Sequence, residues 1–563
     1  MIGTARRRWV TGAVAAAVLS AAGSAQALPA HALPARPLPV GALPAQVLPA
    51  GPLTAHALPA RAGAPPETRT VQTVAPGVTL TTIARGSVSP SDHYTVNVGV
   101  PTSSDLPPDP DPDAVTAVLG TKETAEGVAA QLRTAGWTGR VEAVRMPRFA
   151  DAGPGLLGYR VRVGHYATEA EAAAVAARLT AARFKPSVGY TGQDGAPTTG
   201  PWAIHALTVD FRAFHGTVAE THDATLAGRR TTTEIARNTG ALAAVNGGFF
   251  VIAEADGVVG DSAGVIVEHG RLLHDATNGR VAAILRDGGR RLQLEKLWTR
   301  IDLVGSQGPA HQVAGLNRAP GLIRDCGGRT GDVPTSAPLM DVTCKNPDEL
   351  VAFTPEFGSP LPTGAGSEAV LDARGRVVSE GPRTALTVPA GGTVIEAIGT
   401  EAAWLDAHAT VGTRLRLRTR ITGSGGRTLR FGPADSVVNG GPRLVTDGRV
   451  SIEPRADGLI HPGDPSFFYG WAIRRNPRTM IGADRRGRLL LVEVDGRYAA
   501  HSQGLSIPEA GELMRSLGAV QAMNLDGGGS STMVVGGKPV NTPSDATGER
   551  PVGDAVVLLP AGH

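Results

Sequence analysis

Two segments between residues 92 and 190 repeat one pattern of apolar and polar positions. Each begins with strict alternation, in YTVNVGV from Tyr94 and in YRVRVGHY from Tyr159, which predicts a half-buried strand. A predicted helix follows each strand, with apolar residues at helical spacing at Ala125, Val128, Ala129 and Leu132 in the first and at Ala172, Val175, Ala176 and Leu179 in the second. Thr168 and Glu171 supply a capping box at the start of the second helix. With short strands at 140–145 and 186–190, this predicts β-α-β twice on one small, ferredoxin-like βαββαβ sheet.

Residues 202–563 follow a polar stretch at 191–201 and mix many strand-like alternating runs with few helical ones. Two helices are predicted from their end signals, from Thr231 and Glu234 to Gly240, and from Ser506 and Glu509 to Gly518. The predicted fold class is therefore α+β, with the small sheet domain at 92–190 followed by a large, strand-rich domain at 202–563.

The amino-terminal sequence predicts a secretory signal that is followed by a spacer. Residues 1–27 combine three arginines, a short apolar run and the small-residue site Ala25-Gln26-Ala27, as in a secretory signal. That apolar run is too short for a good membrane span, and no later segment is apolar enough. From residue 28 leucine recurs every five positions in Pro/Ala-rich text, so residues 28–75 are predicted to be a disordered spacer.

The net charge and the cysteine content of the chain limit the kinds of function that it can have. Removing residues 1–27 takes away three arginines and no acidic residue, which lowers the formal net charge from +3 to 0. A neutral chain argues against a general nucleic-acid binder, which needs a basic surface. Cys326 and Cys344 are the two cysteines. In an exported chain a disulfide is the natural reading, worth about 3 kcal/mol from loop entropy. A metal pair is the weaker alternative, because no cluster completes four ligands.

Three places share one design, in which an apolar run meets Asn or Asp and then two or more glycines. They are AAVNGGFF at Asn246 and Gly247, SVVNGGPRLV at Asn439 and Gly440, and MNLDGGGSS at Asn524, Asp526, Gly527, Gly528, Gly529, Ser530 and Ser531. A single Asn-Gly is typical of a hairpin turn. Three occurrences predict a polar site instead, because successive glycine amides can surround an anion.

Two further segments add charge. Pro477-Arg478-Thr479 precedes an apolar run, and period two places Glu493 and Asp495 on one face of the next strand. The same alternation puts Asn524 and Asp526 on one face, at the end of a strand. The guanidinium groups of Arg478 and Arg497 are planar forks that suit phosphate or carboxylate.

In this order, the motifs VNGGFF, NGGPRLV, NPRTMIG, LLLVEVDGR and AMNLDGGGSSTMVV resemble the phosphodiester glycosidase family over roughly residues 203 to 559. The resemblance implies hydrolysis of a sugar-1-phosphodiester such as a GlcNAc-1-phosphodiester. The positions that match its motifs are Asn246, Asn439, Arg478, Asp495, Asn524, Asp526, Ser530 and Ser531.

Residues 92–190 resemble the SPOR domain, most specifically in YRVRVGHYATEAEAAAVAARL. That resemblance implies binding to peptidoglycan glycan strands that lack stem peptides. The sequence departs from the pattern in its first half, where PTSSDLPPDPDPDAVTAVLG replaces a short strand-to-helix connection.

Roles for the site residues follow as hypotheses. Asp526 is the carboxylate near the anomeric carbon, as nucleophile or base, and Asp495 is a second acid/base or a sugar ligand. Arg478, Ser530, Ser531 and the amides of Gly527–Gly529 hold phosphate. The three asparagines orient sugar hydroxyls. His461, Asp464 and the aromatic run SFFYGW are candidates to line a sugar pocket or to be packed, and His501 is a candidate proton donor.

The predicted function is that of a secreted, cell-wall-associated hydrolase that cleaves a sugar-1-phosphodiester in a wall glycopolymer. Its predicted partners are peptidoglycan glycan strands and the carbohydrate substrate. Two alternatives stay open, a glycoside hydrolase whose substrate has no phosphate and a non-catalytic glycan-binding protein. Asp526 and Asn524 offer oxygen ligands for Ca²⁺, but no D-x-D-x-D-G run accompanies them, so no metal or other cofactor is predicted.

Overall fold

A computed structural model of the chain describes residues 54–56, 66–107, 109–110, 114, 116–305, 310–327, 329, 331–335 and 337–562. These residues belong to one compact unit, Gly51–His563. The predicted signal and most of the predicted spacer lie outside the described residues. Within the described part, no helix has the length and apolar character needed to cross a membrane.

The first half of the unit contains these strands: β1 Thr54–His56, β2 Glu67–Ala75, β3 Val78–Arg85, β4 Tyr94–Val98, β5 Gly139–Met146, β6 Gly155–Tyr166, β7 Pro186–Tyr190, β8 Trp202–Val209, β9 Thr217–Thr221, β10 Ala243–Asn246, β11 Ile266–Glu268, β12 Arg271–His274, β13 Arg280–Arg286, β14 Arg291–Gly305, β15 His311–Val313, β16 Gly315–Leu316 and β17 Leu322–Arg324.

The second half contains these strands: β18 Thr343–Lys345, β19 Leu350–Phe353, β20 Ser367–Leu371, β21 Val377–Pro382, β22 Thr393–Ala397, β23 Leu415–Thr422, β24 Thr428–Leu429, β25 Ser436–Asn439, β26 Arg443–Thr446, β27 Arg449–Val450, β28 Arg478–Asp484, β29 Leu489–Val494, β30 Ala519–Asn524, β31 Met533–Val535, β32 Lys538–Pro539 and β33 Ala555–Leu559. The helices are α1 Lys122–Thr134, α2 Glu169–Ala181, α3 Thr232–Asn238, α4 Thr400–His408, α5 Pro465–Phe468 and α6 Ile507–Ser516.

The small domain forms the predicted strand–helix pattern. Its four strands pair antiparallel in the order β5-β6-β4-β7. Helices α1 and α2 cover one face, where their apolar stripes bury Leu132 and Leu179 against Val96 and Val161. Thr168 caps α2 through the predicted capping box. The capping boxes at Thr231 and Ser506 likewise begin α3 and α6, which confirms both predicted helices.

The large domain is built around a nine-stranded sheet in the order β1-β2-β3-β8-β29-β28-β30-β26-β27. The hairpin of β2 and β3 joins this sheet through the pairing of β3 with β8. The spacer was predicted to reach residue 75, but residues 67–75 form β2. The hairpin is held by a strand more than a hundred positions later in the chain, a contact that local composition does not reveal.

The glycine motifs are brought together by the ends of neighbouring strands. Asn246 ends β10, Asn439 ends β25 and Asn524 ends β30, while Arg478 begins β28. Strand β28 pairs antiparallel with β30, so Met480 lies opposite Asn524. A buried apolar core that includes Val245, Val438 and Met523 packs beneath these strand ends. The packed sheets therefore fix one rim on which the predicted site residues meet.

The second face of the small sheet packs on the large domain. Arg162 donates to both carboxylate oxygens of Asp194 at 2.6 Å, and Arg160 donates to the Tyr469 hydroxyl at 2.5 Å. The Tyr469 hydroxyl in turn donates to Asp194 at 2.9 Å. Phe149 meets Phe468 edge-on, with ring centroids 5.5 Å apart. The small sheet is therefore covered on both faces.

Candidate active site

A cleft of about 780 Å³, counting its open side, lies at the rim where the strand ends meet. Five residues predicted from the sequence line it, namely Arg478, Asp526, Gly527, Gly528 and Ser530. The other lining residues are Asp109, Ala114, Phe249, Phe250, Ile252, Asp341, Phe467, Gly470, Trp471, Asn476, Arg497 and Arg550. Carboxylates, guanidinium groups and aromatic rings thus share one concave surface, as in a ligand site.

Asp526 is half-buried in the cleft, two residues beyond the end of β30. Its backbone N–H donates to the Gly247 carbonyl at 3.0 Å, and its carbonyl accepts from Asn246 Nδ2 at 2.8 Å. The carboxylate oxygen Oδ1 accepts from the Gly527 N–H at 2.8 Å. Two bonds from its backbone to the first glycine motif therefore hold this residue at the cleft surface.

Arg478 is the most deeply buried cation of the cleft, with 2% of its surface exposed. Its Nε donates to the Leu505 carbonyl at 3.0 Å and its Nη2 to the Trp471 carbonyl at 2.5 Å, so neutral acceptors hold two of its nitrogens. Burial, followed by the nearby charge of Arg497, lowers the pKa of Arg478 to about 9. An anion bound in the cleft would stabilise this charge.

Two further arginines place positive charge at the same surface. Arg550 forms a two-pronged ion pair with Asp545, with nitrogen–oxygen distances of 2.7 and 3.0 Å. A side chain at Gly529 would collide with this guanidinium, so the glycine allows Arg550 to lie against the loop. Sequence reasoning singled out Arg497 only as a planar fork and missed Arg550, whose contacts depend on the folded loop.

The three asparagines predicted to orient sugar hydroxyls do not line the cleft. Each is at most 4% exposed and bonds to the protein itself. Asn246 Oδ1 accepts from the Thr479 hydroxyl at 2.6 Å. Asn439 Oδ1 accepts from the Phe249 N–H at 2.8 Å. Asn524 Nδ2 donates to the Gly441 carbonyl at 3.1 Å. These side chains hold the cleft loops in place, and their contact with sugar hydroxyls stays a prediction.

Asp495 is also buried rather than displayed, with 1% of its surface exposed. Its Oδ1 accepts from the Thr542 N–H at 2.8 Å, and its Oδ2 lies 2.6 Å from His501 Nε2. Asp495 does not line the cleft, and its role as a second acid/base or sugar ligand stays a prediction. It fixes the strand end from which Arg497 reaches the cleft, and its bond to His501 gives that residue an anchoring role.

Beside Asp495, one group of side chains could in principle hold a cation. His205, Glu493 and Asp495 bring one ligand atom each within 4.8 Å of one another. His205 Nδ1 lies 2.9 Å from Glu493 Oε2. Burial and then the charge of Asp495 raise the pKa of Glu493, which favours a protonated, hydrogen-bonded carboxyl. His205 and Glu493 thus form a hydrogen-bonded pair that is buried beside Asp495.

The glycine triplet does not present a row of amides to the cleft. The Gly527 N–H donates to Asp526, and the Gly528 N–H donates to the Pro477 carbonyl at 3.0 Å. Both amides already have acceptors within the protein, and their use for phosphate stays a prediction. Ser530 lines the cleft, whereas Ser531 is buried behind it and its hydroxyl has no hydrogen-bond partner among the described residues.

Close packing explains the doubled glycines of the other two motifs. A β-carbon at Gly247 would lie 2.5 Å from Asp554 Oδ1, and one at Gly248 would collide with the Asn439 amide. A β-carbon at Gly440 would lie 2.7 Å from the Asn524 carbonyl oxygen. Gly247 and Gly440 therefore let the loops approach one another, and neither is a lining residue.

Aromatic residues form one wall of the cleft. Phe249 and Trp471 meet edge-on with centroids 6.3 Å apart, and the Arg478 guanidinium lies 4.9 Å from the Trp471 ring. Phe467 and Trp471 come from the SFFYGW run, so that candidate does line the cleft. His461 instead stacks on Phe467 and contacts the Met340 carbonyl at 2.7 Å, and Asp464 caps α5.

Two segments outside the glycine motifs complete the cleft. Cys326 and Cys344 form the predicted disulfide, and Asp341 from the loop that it closes lines the cleft. Asp109 and Ala114 come from the loop that departs from the SPOR pattern. Asp109 is fixed by an ion pair with Arg324 at 3.1 Å. The small domain thus contributes to the site directly.

Comparison with known proteins agrees with this geometry. Residues 366–559 match the family model for phosphodiester glycosidase, and residues 116–188 match that for the SPOR domain. The chain carries a phosphodiester glycosidase domain and a SPOR domain. The 366–559 match contains Arg478 and Asp526, whereas Phe249 and the first glycine motif lie before it.

Over 114 residues, or 20% of this chain, the phosphodiester glycosidase domain resembles two enzymes named N-acetylglucosamine-1-phosphodiester alpha-N-acetylglucosaminidase. Identity is 33% for the mouse enzyme and 43% for the human enzyme. The chain spans 22% of the length of each. A crystal structure of a putative exported protein from Burkholderia pseudomallei K96243 is similar over 92% of this chain and 99% of its own, at 36% identity and a TM-score of 0.77.

A buried acid beneath the first glycine motif predicts a pH dependence of stability. Burial raises the pKa of Asp554 to about 7 from an ordinary 3.8, although its Oδ1 accepts from the Gly248 N–H at 2.8 Å. A raised folded-state pKa means that the folded protein binds more protons, so stability falls as pH rises from about 4 to about 7 and then levels off. His222, Glu268 and Glu220 lie near Asp554 in the large domain.

We expect Asp554→Asn to reduce the loss of stability over this range, because the amide keeps an acceptor for Gly248 and carries no charge. Urea unfolding of both proteins at pH 5 and pH 8 measures the effect. The difference in free energy of unfolding between the two pH values should be smaller in the variant. An equal difference in both proteins would show that Asp554 does not titrate in this range.

Proposed function

We propose that this protein hydrolyses the bond between the anomeric carbon of a sugar and a phosphodiester, and releases the free sugar and a phosphomonoester. The observation that carries the proposal is the buried guanidinium of Arg478 in a cleft that also holds the half-buried carboxylate of Asp526. A site with a cationic pocket beside one carboxylate suits an anionic leaving group next to a carbon that develops positive charge.

Each part of the cleft has a role in this reaction. The phosphate lies against Arg478 and Arg497, whose planar forks bind its oxygens. The sugar lies against the Phe249 and Trp471 rings. Asp526 faces the anomeric carbon and either attacks it or takes the proton from water. Because the leaving phosphomonoester is a weak base, the reaction needs no strong general acid.

The bonds balance without a further reactant. The C1–O bond to phosphate breaks, and its electron pair stays on the phosphate. Water supplies the oxygen that becomes the C1 hydroxyl, and the released proton goes to solvent or to the phosphomonoester. N-acetylglucosamine is the sugar we propose, because the mouse and human relatives are named for it.

We further propose that the protein is exported and acts at the cell wall on a glycopolymer. The SPOR domain supports this location, since SPOR domains bind peptidoglycan, and so does the similarity to a putative exported protein. The order β5-β6-β4-β7 with two helices on one face supports a ferredoxin-like arrangement of this domain.

Hydrolysis in ¹⁸O-labelled water tests the reaction. The full chain is incubated with N-acetylglucosamine-1-phosphate esterified to methanol, and the products are examined by mass spectrometry. We expect ¹⁸O in the sugar and methyl phosphate without label. Label in the phosphate would mean attack at phosphorus and would contradict the proposal. Hydrolysis of a phosphate-free N-acetylglucosaminide instead would favour a simple glycosidase, and glycan retention without turnover a binding protein.

A further inference from the structure

A second groove opens between the SPOR domain and the phosphodiester glycosidase domain. It encloses about 1170 Å³, counting its open side. Its small-domain wall is formed by β4, the edge strand β7 and the start of α2, and its opposite wall by residues 469–476 and 497–499. The space enclosed within it, about 340 Å³, has the size of a site that holds a small ligand or a short part of a longer one.

The groove is continuous with the cleft. Ala114, Gly470, Asn476 and Arg497 line both. Arg497 stands at the junction, and the proposed phosphate position lies beside it. A group attached to the far side of that phosphate would therefore leave the cleft through the groove.

The chemistry of the groove suits a chain of sugars. Hydrogen-bonding groups of several kinds line it, those of Asn97, Glu169, Ser187, Tyr190 and Arg474. Arg474 is oriented by a bond from Nη2 to Gln193 Oε1 at 3.0 Å. Asn97 is oriented by a bond from Arg162 Nε at 2.9 Å. Fixed donors and acceptors with little net charge match hydroxyl and amide groups better than a polyanion.

Packing of the small domain leaves this groove as the place for a glycan strand. Helices α1 and α2 cover one face of its sheet, and Asp194 and Tyr469 lie against the other. The part of this second face that carries Asn97 and Ser187 is the part that borders the groove. Strands β5 and β7 form the two edges of the sheet, and the β7 edge borders the groove.

We propose that the groove binds the leaving group of the reaction, a glycan strand that carries the phosphate on one of its hydroxyls. This rests on the proposed function. The sugar that is removed lies in the cleft, the phosphate lies at Arg478 and Arg497, and the strand continues along β7. The SPOR domain then supplies subsites for the substrate as well as attachment to a wall polymer. The products are the free sugar and the phosphorylated strand.

Two substrates with the same scissile bond test the proposal on the full chain. In the short one, N-acetylglucosamine-1-phosphate is esterified to methanol. In the long one, it is esterified to a four-sugar fragment of peptide-free glycan. We expect kcat/KM to be roughly tenfold higher for the long substrate, mainly through a lower KM, as the gain from two or three hydrogen bonds.

Filling the groove should remove this advantage. Ser187 is half-buried on β7, so Ser187→Trp places an indole in the groove, and the exposed Glu169→Trp is a second variant that leaves the interior unchanged. Both should bring kcat/KM for the long substrate down to that for the short one and leave the short substrate unaffected. Thr134→Trp is the matched control, because Thr134 is exposed at the end of α1 and does not line the groove.

Direct binding separates this inference from the proposed function. Calorimetry with the phosphorylated four-sugar fragment needs no turnover. Tight binding to the wild type and weak binding to both groove variants would support the groove even if no hydrolysis were found. Equal kcat/KM for the two substrates, or an unchanged kcat/KM for the long substrate in Glu169→Trp, would overturn the inference about the groove. Hydrolysis of the short substrate would still support the proposed function in that case.

Discussion

Arg478→Lys is expected to lower kcat/KM for a sugar-1-phosphodiester by about 10²–10³-fold, the usual cost of losing one preorganised donor set for a developing anion. Lysine keeps a charge but cannot donate to the Leu505 and Trp471 carbonyls and also present a planar pair of N–H groups to phosphate. Burial disfavours a charged ammonium more strongly than a guanidinium, because lysine loses its proton more readily, so part of the charge would be lost as well.

Steady-state kinetics on the short substrate measure this effect, with Arg485→Lys as the matched control at an exposed position in the turn after β28. The control should keep wild-type kinetics. Binding of inorganic phosphate should weaken in Arg478→Lys and not in Arg485→Lys. If Arg478→Lys kept kcat/KM within threefold of wild type, the phosphate would have to be held elsewhere in the cleft.

Local patterns predicted the small domain well because its signals are local. Alternation, apolar spacing and a capping box lie within single elements, and each element pairs with a neighbour nearby in the chain. The first strands of the large sheet were missed for the opposite reason. Residues 67–75 follow Pro/Ala-rich text and are held by pairing through β3 with β8, which belongs to the next domain.

The site residues show that the alternation of side chains along a strand predicts their orientation only as far as the strand extends. Asn524 and Asp526 were placed on one face, but β30 ends at Asn524. Beyond that point alternation no longer applies, so Asn524 points into the protein while Asp526 lies in the cleft. Asp495 likewise follows the last residue of β29 and is buried. Arg478 and Asp526 were singled out because each lies in an unusual local motif, Pro477-Arg478-Thr479 and MNLDGGGSS.

Residues from distant segments could not be inferred from any local motif. Phe249, Asp341 and Arg550 reach one cleft only because three sheets, a disulfide loop and a carboxy-terminal turn are packed together. The loop that departs from the SPOR pattern gave one usable signal, since it replaces a short strand-to-helix connection. Asp109 from that loop lies at the cleft, whose lining holds three arginines and three aspartates.

Asp526→Asn is expected to lower kcat by on the order of 10³–10⁴-fold, near the upper range for loss of a positioned acid–base group. The amide keeps an oxygen that can accept from the Gly527 N–H, and the backbone bonds of residue 526 to Gly247 and Asn246 do not involve the side chain. The fold and the position of the side chain should therefore survive, while the negative charge beside the anomeric carbon is lost.

The variant should bind substrate nearly as well as wild type, because Arg478 and Arg497 are unchanged, so the loss appears in kcat rather than KM. Asp447→Asn, in the exposed turn between β26 and β27, is the matched control and should keep full activity.

Azide added to an Asp526→Ala variant distinguishes the two roles of the carboxylate. Formation of a glycosyl azide whose configuration at C1 is inverted relative to the wild-type product indicates that Asp526 is the nucleophile of a retaining reaction. Faster release of free sugar without azide adducts indicates that Asp526 is the base that activates water. Near-normal turnover in Asp526→Asn would exclude both roles and leave Asp526 a positioning residue.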